Sequence, residues 1–145
     1  PPRSTLFPYT TLFRSESGAL AERFFDLVRT DLDAAVAKAP GIAIATRDAL
    51  GRLEEASQAL LEARSDLASA GSAATDYLRL FALVGFGWMW SRMAAAAAGK
   101  DTPLARRKQV TAQYFADKML PQTIGLAASI ASGSNAIMAL EADLF

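Results

Sequence analysis

Large apolar residues crowd one stretch of this chain, Asp76 to Gly99 (DYLRLFALVGFGWMWSRMAAAAAG), and point in every direction of a 3.6-residue helical wheel. Tyr77, Leu80, Phe81, Val84 and Trp88 fall on one side, Leu78, Met89 and Met93 on another, and Leu83, Phe86 and Trp90 on a third. A helix that is apolar all round has to be surrounded, so the pattern predicts a buried central helix. Its uninterrupted apolar part, Leu80 to Trp90, is 11 residues long between Arg79 and Arg92, short of the roughly 20 a bilayer span needs. No membrane partner is expected.

Amphipathic segments flank it. Ser17 is placed to cap a first helix from about Gly18 to Ala39, with Leu20, Phe24, Leu27, Val28 and Ala35 inward and Glu22, Arg23, Asp26, Arg29 and Asp33 outward. Pro40 and Gly41 stop it, and Ile42 and Ile44 form a short linker. A second helix starts near Thr46 as N-cap, with Asp48 in its first turn; Leu50, Leu53, Leu60, Arg64 and Leu67 give its stripe and Gly71 its end. Inside the central helix Gly85 and Gly87 cost about 1 kcal/mol each relative to Ala, which predicts close approach of a neighbouring helix. Gly99 ends that helix, and Thr102 with Pro103 forms an N-cap and N1 pair opening a fourth that runs to about Met119. Pro121 either kinks this helix or begins a fifth, which carries Ile124, Leu126, Ala127 and Ile130 to about Ser132. Gly133 to Asn135 then breaks the chain, and Ala136 to Leu140 adds a last turn. Connections this short predict antiparallel neighbours: an all-α, up-and-down helical bundle of four to five helices around a buried central helix.

Residues 1–15, PPRSTLFPYTTLFRS, do not fit this scheme: they have no helical period and no turn chemistry leading onward. Back-translated in a single frame, all of their codons resemble a common short-read sequencing adapter. They are read as a non-native, disordered leader and excluded from fold reasoning, which leaves residues 16–145 as one helical domain and, in expectation, as the tail of a longer gene. Their removal takes away Arg3 and Arg14, so 13 basic residues face 15 acidic ones and the net charge is −2. Neither this nor the zero charge of the whole chain suggests a nucleic-acid partner. The sequence contains no His and no Cys, which removes disulfides, thiolate nucleophiles, most zinc sites and the commonest general base at neutral pH. Lack of Cys fits a reducing compartment, and a cytoplasmic location is expected.

Little else carries chemistry. Asp31 with Asp33, Glu54 with Glu55 and Glu141 with Asp143 are neighbours in sequence but diverge on a helix, so none forms an acid/base dyad. The run Arg106, Arg107, Lys108 sits in the first turns of the fourth helix, where the dipole disfavours cations; it is a solvated face or a candidate interface. Arg92, amid Trp88, Met89 and Met93, needs a carboxylate from another helix or an exit to solvent. The aromatic residues Tyr77, Phe81, Phe86, Trp88, Trp90, Tyr114 and Phe115 are read as core packing. No catalytic, cofactor-binding or metal-ligating residue is assigned.

An ordered series in the second half adds what composition does not. Tyr77-Leu78, Gly87-Trp88, Lys108, Ala112, Tyr114-Phe115-Ala116, Leu120-Pro121 and Gly133 before Met138 together resemble the extra C-terminal helical domain of a subgroup of acyl-CoA dehydrogenases, those similar to 3-methylmercaptopropionyl-CoA dehydrogenase. Residues 72–140 carry the resemblance; residues 16–71 share only the helical pattern. The family usually has Phe-Tyr where this chain has Tyr114-Phe115. The resemblance implies a parent enzyme that oxidises acyl-CoA thioesters to 2,3-enoyl-CoA with FAD, both flavin and catalytic Glu being housed in a preceding core outside this chain. It also implies packing on that catalytic core or on a neighbouring subunit of a homo-oligomer, with no cofactor in this part. The competing class is a stand-alone helical interaction module.

Overall fold

The computed structural model describes residues 19–63 and 65–139, and these are all-helical. Helix α1 spans Ala19–Val36, α2 Pro40–Glu62, α3 Leu67–Ala97 and α4 Pro103–Tyr114; a π-helical turn, Phe115–Met119, leads to α5, Gln122–Ala131. The leader at 1–15, the cap at Ser17, Arg64 of the second-helix stripe, and the Glu141 and Asp143 pair lie outside the described residues.

Cross-helix contacts fix the topology. Arg29 pairs with Glu54 and Asp33 with Arg47, so α1 and α2 run antiparallel. Ser57 meets Tyr77 and Thr46 meets Ser91, so α3 runs against α2. Lys108 reaches Met93, Gln109 the Ala97 carbonyl, Ser129 the Asp76 carboxylate and Ser134 the Ser69 hydroxyl. The path from α4 through the π turn to α5 therefore follows α3 back along its whole length. The molecule is a four-column up-and-down bundle whose fourth column is two helices in series, as the short connections predict. Pro121 explains the break: it has no N–H to donate, and its ring would clash with the Asp117 carbonyl in a regular α-helix. One wider turn, closed by Leu120 N–H to the Phe115 carbonyl at 3.0 Å, absorbs it, and Pro121 then opens α5.

Several boundaries correct the sequence reading. Pro40 does not stop a helix into a linker; its fixed φ suits the first helical position, and α2 opens there. Thr46 is accordingly not an N-cap but a wholly buried mid-helix residue whose Oγ1 donates to the Ile42 carbonyl at 2.7 Å. Gly71 does not end α2. Asp66 caps α3 first, its Oδ1 accepting from Ala68 N–H and Ser69 N–H, so Gly71 and the exposed Leu67 lie within α3. In α1 the inward stripe is Ala21, Phe25, Val28, Leu32 and Ala35; Leu20 and Leu27 fall just past the edge that Phe24 and Asp31 present to α3, and are exposed. Ile124 likewise faces out of α5. Gly99 and Gly133, at φ 73° and 68°, end α3 and α5 as expected, and Thr102 Oγ1 caps α4 by accepting from Ala105 N–H.

Val28, Leu32, Leu50, Leu53, Leu80 and Val84 form the fully buried centre, each contributing about 1.5–3 kcal/mol on burial. The buried Thr46, Ser57 and Ser91 hydroxyls are satisfied within their own helices. Ser57 Oγ donates to the Leu53 carbonyl and so takes the Tyr77 hydroxyl proton at 2.8 Å; Ser91 Oγ donates to the Gly87 carbonyl. The central helix departs most from expectation: α3 touches every other column yet is not surrounded. By length and composition it could cross a membrane, and only 33% of its most apolar window is buried.

Candidate interaction surface

The inward side of α3 is Ala73, Tyr77, Leu80, Val84, Gly87, Ser91 and Ala94. Spacings of three and four place Leu78, Ala82, Gly85, Phe86, Met89 and Met93 on the opposite side. That side should be polar on a solvated helix. Here it holds no charge, Thr75 is its one hydroxyl, and Leu78 and Phe86 are 47% and 60% exposed. Four columns leave α3 one uncovered flank, and the sequence fills that flank with apolar side chains.

Along one edge the face deepens into a groove of about 500 Å³ lined by Arg79, Ala82, Leu83, Phe86, Trp90, Phe115, Met119 and Gln122. The π turn, which packs against α3 and the groove, brings Phe115 and Met119 to it. Cations rim the face. Lys108 Nζ lies 5.1 Å over the Trp90 ring and 3.5 Å from Met93 Sδ. Arg79 sits 3.8 Å from Asp76, whose carboxylate also accepts from Ser129. Arg92 finds the carboxylate its neighbours required: Nε lies 3.6 Å from Asp31, which also accepts from Trp88 Nε1 at 2.8 Å, and the guanidinium stacks 5.6 Å over Trp88.

The basic run does not form one patch. Arg106 pairs with Asp101 and Arg107 is exposed, both facing away from α3, while Lys108 alone turns to the groove. Of the aromatic residues read as core, Tyr77 and Phe115 are buried, and Phe81, Trp88 and Trp90 are partly buried against the core. Tyr114 is not core. It is 59% exposed, because Ala112 and Phe115 take the inward side and adjacent helical residues diverge. Phe86, also read as core, is 60% exposed on the outer face. An all-round apolar wheel is the signal that marks such a face, but it cannot say which sector stays bare.

The titratable residues offer no reaction centre among the described residues. No group of three potential metal ligands is present among the described residues. Glu54 is tied to Arg29 and Asp33 to Arg47. Glu54, then hydrogen bonding by Asp26, raises the Arg29 pKa; Ser69 Oγ, with the Ser69 and Ala68 N–H groups, holds the Asp66 carboxyl below the usual carboxylate range. The first holds α1 to α2 and the second caps α3. Among the described residues there is no strand and no glycine-rich turn to cradle a pyrophosphate, and no residue is assigned to a flavin.

Fold and surface together define an all-helical bundle domain with one bare apolar face. Residues 24–141, well over half of the 145, match the family model described as acetyl-CoA dehydrogenase C-terminal like, and the chain belongs to that family. The match begins within α1, so the first two helices belong to it as well as the second half. No curated protein matches the chain.

Proposed function

We propose that this chain is the non-catalytic C-terminal helical domain of an FAD-dependent acyl-CoA dehydrogenase, and that its task is to pack on the catalytic core or on a neighbouring subunit. The parent enzyme, of the 3-methylmercaptopropionyl-CoA dehydrogenase-like subgroup, would oxidise acyl-CoA thioesters to 2,3-enoyl-CoA, with flavin and catalytic Glu held in the core. The observation that carries this reading is the uncharged outer face of α3 in a member of a C-terminal-domain family. Leu78 and Phe86 stand in water on this chain alone, where an apolar patch favours association with a further surface.

The test is to read the source DNA outward past the Glu16 codon. An upstream frame encoding a flavin-dependent dehydrogenase core is the expected result, together with a purified chain that is colourless. A start codon just before Glu16, or a chain that purifies yellow with flavin, would contradict the proposal.

A further inference from the structure

The geometry points to the kind of surface that covers α3: an apolar-faced helix of the catalytic core, bearing a carboxylate near each end of the contact. This inference rests on the proposed function and specifies its interface. The outer face has an uncharged centre at Ala82, Phe86 and Met89 and a guanidinium beyond each end, Arg79 and Arg92. Thirteen residues at 1.5 Å each separate them by about 20 Å. Both have a carboxylate nearby, but at 3.8 and 3.6 Å, longer than the roughly 2.7–2.9 Å of a hydrogen-bonded ion pair. Both side chains are more than half exposed, so each fork keeps donors for a second carboxylate. Lys108 adds a third cation at the groove edge, and no carboxylate lines the groove.

A second copy of the chain does not suit this face. Pairing α3 with itself about a two-fold axis, parallel or antiparallel, gathers the guanidiniums of both copies at each end of the seam, and like charges in contact oppose binding. A lipid surface suits it less well. The face is grooved where a bilayer surface is flat. An acidic-ended apolar helix satisfies both the groove and the rim.

The probe is the upstream segment of the same reading frame, produced as a separate polypeptide and titrated against the chain by calorimetry. One-to-one binding that weakens with added salt is expected. Phe86→Glu should weaken it by about 30-fold or more, the scale of a central apolar anchor. The double variant Arg79→Glu with Arg92→Glu should weaken it by about 10-fold and flatten the salt dependence. Arg79→Glu alone, which leaves the Arg92 stack on Trp88 intact, should show part of that loss, and circular dichroism confirms that each variant is folded. Charge-reversed variants that bind as tightly as the parent chain overturn the acidic-partner inference, and so does a Phe86→Glu variant that binds normally. Self-association of the chain in sedimentation, or binding to phosphatidylserine vesicles, either one abolished by Phe86→Glu, also overturns it. An upstream segment that is not a flavin dehydrogenase fails the proposed function itself, a distinct result read from the DNA before any titration.

Discussion

Gly87 and Gly85 differ by two positions and by opposite consequences. A Cβ on Gly87 would lie 2.7 Å from Thr46 Oγ1, 3.0 Å from Thr46 Cγ2 and 3.2 Å from Leu120 Cδ2. Thr46 cannot give way easily, being β-branched, wholly buried and bonded to the Ile42 carbonyl. Overpacking should therefore outweigh the gain in helix propensity, and Gly87→Ala is expected to lose about 1–2 kcal/mol in urea unfolding. A Cβ on Gly85 meets nothing within 4 Å, so Gly85→Ala should gain about 0.5–1 kcal/mol from propensity alone. The sequence told us that two glycines in a helix need a reason, and the close approach it predicts is real at Gly87. It could not separate the two, because which of them faces α2 depends on the angle at which the columns meet.

At the scale of elements, end signals were legible where one residue type has one use. Gly99, Gly133 and the Thr102-Pro103 pair stand where expected, since only left-handed backbone or an N1 position suits them. Pro40 was misread because proline both ends and begins helices, and here Ala39 leaves the helical region so that Pro40 can begin one. The cap at Asp66 went unseen because Gly71, five residues on, offered a plausible stop. This cap gives α3 a pH dependence of definite sign. The Asp66 pKa is lowered on folding, so its contribution is present above the ordinary carboxylate pKa and is lost as pH falls through the lower, folded value. Thermal unfolding followed from neutral pH into acid should lose less stability in Asp66→Asn than in the parent chain. Parallel curves would show that the cap does not titrate with folding.

Over the whole molecule, the all-α bundle was legible because most columns bury one stripe each, and a one-stripe pattern survives without coordinates. The arrangement of α3 was not. A wheel apolar in every direction reads equally as a surrounded core helix, a membrane span or a helix covered on one side by something outside the chain. Only the placement of four columns, with Leu80 and Val84 inward and Phe86 outward, shows that this helix is not surrounded by the described residues. The basic run shows the same limit, since Lys108 joins the groove and Arg107 does not on account of a turn of 100° per residue.

The central claim, that the outer face of α3 is an interface in the parent enzyme, is tested most directly by hydroxyl-radical footprinting of the isolated chain against the whole enzyme. The expected result is strong protection of Leu78, Phe86, Met89 and Met93 in the whole enzyme, with Leu27 on α1 and Val110 on α4 labelled equally in both. Equal labelling of Phe86 and Met89 in the two samples would contradict it.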